Sequence, residues 1–96
     1  MPILNISTAE IRDGKAFQHY VEKAAVLLEA QGVGIICRGR HVRTMRGADA
    51  GPHIVAVFRF SSMEAVRRFY EAPAYQPLIA LRDAACDMTI RLYEEP

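Results

Sequence analysis

The 96-residue chain has no tryptophan, only two cysteines and almost no net charge. Each scarcity removes a class of function. Twelve lysines and arginines stand against eleven acids, for a net charge of +1. No long-range field of one sign then draws the chain to nucleic acid or to an anionic membrane. Cys37 and Cys86 form no CxxC pair, and His19, His41 and His53 sit at no metal-ligand spacing. Neither a metal centre nor a redox motif is expected, and both thiols read as small packing residues of the core. No apolar run approaches the ~20 residues needed to cross a bilayer. Met1–Ser7 is too short and uncharged for a secretory leader, so a cytoplasmic, reducing setting is the expectation. Phosphate loops, dinucleotide fingerprints and nucleophile elbows are missing as well, and no cofactor is expected.

What is present suits one small globular domain over residues 1–96. Half of the residues are apolar (51%), enough for a core. A domain of this size still exposes much of its surface, which pairing with a second copy would relieve.

The periodicities give an order of elements. Pro2–Ser7 alternates weakly and reads as a short strand, followed by a loop over Thr8–Asp13. Asp13 is a helix cap for Gly14–Gln31, whose Phe17, Tyr20, Val21, Ala24, Leu27 and Leu28 recur at steps of three and four. Gly32 supplies the left-handed stop. Val33–Cys37 is a β-rich run, with a bulge expected at Gly39 and a continuation over His41–Met45. After the loop Gly47–Pro52, His53–Phe60 is the strongest strand in the chain. Ser61 or Ser62 caps a second helix, with Ser61 and Glu64 at capping-box spacing. Pro73 breaks that helix and Pro77 permits a restart near Tyr75. Asp87–Glu94 alternates as the last strand.

The order β-α-β-β-α-β with right-handed crossovers is an α+β, ferredoxin-like arrangement, one antiparallel sheet with both helices on one face. Ile54, Ala56, Phe58 and Phe60 form the strand face suited to lie under the helices. The opposite face carries Val55, Val57 and Arg59, with Ile3, Asn5, Ser7, Thr89, Arg91 and Tyr93 as expected neighbours. That mixture is too apolar for solvent and too polar for a monomer core. A sheet-to-sheet homodimer fits it.

Three residues are candidates for ligand contact. Tyr75 and Arg82 lie seven apart, within ~20° on a helix, and share a stripe with Leu78 and Ile79. An arginine in an apolar stripe needs an acid such as Asp83 or Asp87, water, or a ligand carboxylate. Arg38, at the end of the second strand, is a second anchor. The surrounding basic run Arg38–Arg46 reads either as a solvated hairpin or as a phosphate or carboxylate contact. Asn5 and Tyr93 are candidate polar groups of a sheet-side cavity, whereas Tyr20 and Tyr70 read as core tyrosines with satisfied hydroxyls. No general base is recognisable, and catalytic residues stay unknown.

Several motifs in order carry a resemblance: Phe17 with Tyr20, Arg38-Gly39, Val57-Phe58-Arg59-Phe60 followed by Ser61, Ser62 and Glu64, then Phe69-Tyr70-Glu71-Ala72-Pro73-Ala74-Tyr75-Gln76 and Leu81-Arg82. Over nearly its whole length the chain resembles the domain-of-unknown-function family 1330, within the dimeric α/β-barrel superfamily. It departs from that pattern at Arg40, where a second glycine is usual, at Ser61 in place of proline, and at Arg59 in place of an acidic residue. The resemblance implies the fold and dimerisation, and no settled activity. Two functions remain open: a binding protein for a small anionic organic ligand in a cleft between helices and sheet, and a cofactor-free enzyme, monooxygenase- or isomerase-like, acting on a small organic acid or phenol. RNA binding is disfavoured, because the middle strands lack paired aromatics for base stacking.

Overall fold

In the computed structural model of residues 1–96, the first strand, β1 (Ile3–Ile11), runs past the expected end at Ser7. Its extra residues are held by the last strand, β4 (Cys86–Glu94), through the pairs Thr8–Thr89, Ala9–Met88, Glu10–Asp87 and Ile11–Cys86. A non-local ladder of this kind leaves no mark on the local sequence. The backbone N–H groups of Arg12 and Asp13 then donate to Ala85 O at 2.9 and 3.0 Å, tying the strand end to the end of the last helix.

Asp13 opens α1 (Gly14–Ala30) by accepting from the N–H groups of Lys15 and Ala16, both at 3.1 Å. Gly32 closes it at φ +68°, a conformation that a side chain would resist. The strand β2 (Gly34–Arg40) pairs with β3 (Ile54–Phe60). The bulge falls at Ile36, between Ile35 and Cys37, and not at Gly39, which pairs in register with Val55. Residues 41–45 do not continue the strand, because β3 begins at Ile54 and offers no ladder beyond it. The hairpin base is closed instead by His41 N–H donating to His53 O at 2.8 Å, with the two imidazoles stacked 4.5 Å apart.

Ser62, and not Ser61, caps α2 (Met63–Tyr70), accepting from Ala65 N at 3.1 Å. Pro73 lies between α2 and α3 (Gln76–Ala85), so the second helix is split as expected. Pro77 sits in the first turn of α3, where its missing N–H costs nothing.

All strand pairs are antiparallel, in the order β2-β3-β1-β4. With the helices on one face, this is the α+β ferredoxin-like βαββαβ fold. No helix is long and apolar enough to cross a membrane.

The register corrects one assignment. Ile3, Asn5, Ser7 and Ala9 pair with Phe60, Phe58, Ala56 and Ile54, and all four are buried on the helix side. Leu4, Ile6 and Thr8 occupy the open face instead, beside Arg59, Val57 and Val55 and beside Tyr93, Arg91 and Thr89. Strand parity has period two, so one residue of slip exchanges the faces entirely. Ile3, Asn5 and Ser7, expected on the open face, are buried on the helix side instead, where a hydrogen-bond network receives the two polar ones. The two cysteines also divide. Cys86 is buried, whereas Cys37 is exposed on the edge strand β2 and is no core residue.

The core gathers Ile3, Phe60, Val66, Phe69, Tyr75 and Leu78 with Tyr20, Ala24 and Leu28 of α1. Phe69, Tyr70 and Tyr75 form an aromatic cluster, with ring centroids 5.0 to 5.2 Å apart.

Candidate functional site

Between α1 and the sheet lies a cavity of about 390 Å³. Its existence follows from side-chain volume. The sheet contributes Ser7, Ala9 and Ala56, and α1 contributes Ala24 and Ala25. Small groups on facing layers leave space that a close-packed interior would fill. Larger side chains bound that space: Phe17, Tyr20, Val21 and Leu28 from α1, Ile35, Ile54, Phe58 and Met88 from the strands, Phe69 and Tyr70 from α2. Fifteen of the twenty lining residues are hydrophobic, and none is an acid or a histidine.

Cations stand at the rim. Arg38 and Arg40 pair in register with Ala56 and Ile54 and line the cavity. Both are exposed, and neither belongs to the chain's two salt bridges, Arg59–Glu95 and Arg82–Asp83.

Hydroxyls mark the interior. Ser7 Oγ donates to Asn5 Oδ1 at 2.6 Å, and Asn5 Nδ2 donates to the Tyr70 hydroxyl at 2.7 Å. On the other side, the Tyr20 and Tyr75 hydroxyls are 2.9 Å apart, and Arg82 Nη1 donates to Tyr75 at 3.1 Å. Arg82 Nε also donates to Asp83 at 2.9 Å. No buried side-chain polar atom lacks a partner.

Burial pushes the Tyr70 phenol up to about 12, against the hydrogen bond from Asn5 and the Arg82 charge, which pull it down. Burial, helped by the hydrogen bond with Tyr75, raises Tyr20 still further. Both phenols therefore keep their protons well above neutral pH and are not bases there. For Arg82, burial works against the charge, but Asp83 and Tyr75 outweigh it and hold the guanidinium firmly protonated.

The three residues expected to contact a ligand are divided. Arg38 lines the cavity. Tyr75 and Arg82 meet each other, as their seven-residue spacing implies, but stand behind Tyr20 and do not line the space. Asp83, one of the acids considered as an Arg82 partner, takes that role. Of the polar groups considered for a cavity, Asn5 is buried in the network, whereas Tyr93 is exposed on the open face. Sequence reasoning missed Ser7, Tyr20 and Tyr70 as lining groups. The usable signal was the set of alanines and Ser7 at core-facing positions of β1, α1 and β3.

The family model described as "Domain of unknown function (DUF1330)" matches residues 2–96. No curated protein matches the sequence. Solved structures share the fold at low identity. A protein of unknown function from Rhodopseudomonas palustris is 16% identical with a TM-score of 0.85, over 99% of this chain and 82% of that one. SnoaB from Streptomyces nogalater, a cofactor-independent oxygenase, is 14% identical with a TM-score of 0.72, over 99% and 93%. The Arabidopsis thaliana protein At3g17210 is 18% identical with a TM-score of 0.72, over 98% and 95%.

Proposed function

The chain belongs to the DUF1330 family, a domain of unknown function, so membership brings no activity with it, and we propose one from the cavity: the protein binds a small organic anion between α1 and the sheet. The observation that carries this is an apolar cavity whose only charged lining groups are Arg38 and Arg40. An apolar body gains by leaving water for such a space, and an unpaired guanidinium at the rim gains by meeting a carboxylate. Arg38 contacts the anionic group directly. Tyr75 and Arg82 act on the ligand from behind, through Tyr20.

Thermal denaturation with benzoate and with its neutral amide tests this. Benzoate is expected to raise the melting temperature more than benzamide does, and Arg38→Ala to remove the difference. Equal shifts by both compounds, or none, would count against it.

The protein works as a homodimer in the cytoplasm, with no nucleic acid or membrane partner. Leu4, Ile6, Val55 and Val57 leave an apolar centre on the open face that a second copy would cover. Light scattering should give twice the chain mass for the wild type. Val57→Asp should reduce it, since the change buries an unpaired charge at the contact.

A second reading is cofactor-free catalysis on a small organic acid or phenol, supported by the fold shared with SnoaB. Without an acid or histidine on the cavity wall, the substrate would have to enter already ionised. Oxygen uptake with a panel of phenolates addresses it.

A further inference from the structure

The hydrogen-bond network has a direction, and counting its protons shows what it offers to the cavity. Arg82 can only donate, so Tyr75 O accepts from it. The Tyr75 proton then has one place to go. Tyr75 is 1% exposed, and the Tyr20 hydroxyl at 2.9 Å is its neighbour. If Tyr20 donated to Tyr75 instead, the free proton would sit on Tyr75, which does not line the cavity, whereas a free Tyr20 proton can meet water or a ligand there. The chain therefore runs from Arg82 to Tyr75 to Tyr20. It leaves the Tyr20 proton free, on a side chain that lines the cavity.

The second arm is built the same way. Ser7 donates to Asn5 and Asn5 donates to Tyr70, and Ser7 also lies beside the Tyr70 phenol as a weaker hydrogen-bond partner. Turning the Asn5 amide over would exchange the roles of Ser7 and Tyr70, and both line the same space. The Tyr20 proton is left without a protein acceptor, and on the second arm only the weaker contact between Tyr70 and Ser7 competes with a ligand oxygen. The two arms are held side by side by the edge-to-face contact of the Tyr70 and Tyr75 rings, 5.1 Å between centroids.

We propose that the Tyr20 and Tyr70 hydroxyls are a donor pair for an oxygen acceptor on the ligand, so that the cavity takes a molecule polar at both ends: an anionic group at Arg38 and a carbonyl or phenolate oxygen at the tyrosines. This rests on the binding reading above and adds the substrate class, an oxo- or oxyanion-bearing aromatic or unsaturated carboxylate. Exposed Arg38 and buried Tyr20 put the two recognition points at opposite depths. Tyr75 and Arg82 are positioning residues, since they direct the Tyr20 proton without touching the ligand. A site with buried donors that the protein itself satisfies poorly penalises an analogue that lacks the acceptor, because the donors gain nothing in its complex.

The test compares 4-acetylbenzoate with 4-isopropylbenzoate, which has the same number of heavy atoms and a similar size but no carbonyl. Titration calorimetry is expected to show the keto acid bound on the order of 10-fold more tightly by the wild type. Tyr20→Phe and Tyr70→Phe should each erode that preference, weakening the keto acid and relieving the penalty on the isopropyl compound. The ketone infrared stretch of bound 4-acetylbenzoate should fall to lower wavenumber in the wild type and recover partly in Tyr75→Phe, a signature that packing alone would not move. Equal affinity for the two compounds, or an unshifted ketone stretch, overturns the donor pair and leaves the cavity reading intact. Failure of both compounds to bind overturns both. The infrared measurement on the wild type needs no variant to fold.

Discussion

Two regions under the helices share the same backbone layers and differ in what fills them. Where Ile3 pairs with Phe60, the layer is packed with Val66, Phe69, Tyr75 and Leu78. Where Ser7 and Ala9 pair with Ala56 and Ile54, α1 answers with Ala24 and Ala25, and a cavity of about 390 Å³ results. The helix-to-sheet architecture therefore dictates neither solidity nor a binding site; side-chain volume at facing positions decides. The packed region also serves the hollow one, since its aromatic cluster fixes Tyr70 and Tyr75 and with them the hydroxyls at the cavity wall.

Truncation should separate the two regions most sharply. Phe60→Ala removes a ring that is 1% exposed and should cost about 3–5 kcal/mol in urea unfolding. Ala56→Leu adds volume where there is room, and its stability should stay within about 1 kcal/mol of the wild type while benzoate binding is lost. Comparable destabilisation by both changes would erase the distinction.

A smaller effect tests the polar seam between them. Asn5→Ala strands the Ser7 and Tyr70 hydroxyls and should cost about 1–3 kcal/mol, measured by the same unfolding curves. A neutral result would mean that water replaces the amide without loss.

The smallest effect is a pH slope. In the folded protein the Tyr70 phenol lies near 12 and Tyr20 is raised as well, against an ordinary value of 10.0. The unfolded chain therefore loses these protons first. Their contribution to stability is complete below pH 10 and falls as pH rises from about 10 through 12. Urea midpoints taken on either side of pH 10 should fall in the wild type and fall less in the Tyr20→Phe, Tyr70→Phe double variant.

Much of this is legible in the sequence. The helix stripe, the Asp13 cap, the break at Pro73 and the split βαβ order follow from local chemistry, and the structure has them. The strand over Thr8–Ile11 was not legible, because its ladder partner lies more than seventy residues away in β4. The parity of β1 is not legible in the sequence, because the burial of Asn5 and Ser7 depends on a hydrogen bond from Asn5 to Tyr70, sixty-five residues away. Sequence spacing brought Tyr75 and Arg82 together but could not show which groups face the cavity, since that depends on how α1 lies across the sheet. Cys37 looked like core in a β-rich run, and only its place on an edge strand exposes it.

The central claim is that the hollow region, and not the open sheet face, receives the ligand. Amide chemical-shift mapping during a titration with benzoate tests it most directly. The predicted result is a saturable set of shifts centred on Ser7, Tyr20, Ala24, Arg38, Ala56 and Tyr70, absent in Ala56→Leu. Shifts centred on Leu4, Ile6, Thr89 and Tyr93, or a pattern that Ala56→Leu leaves unchanged, would contradict it.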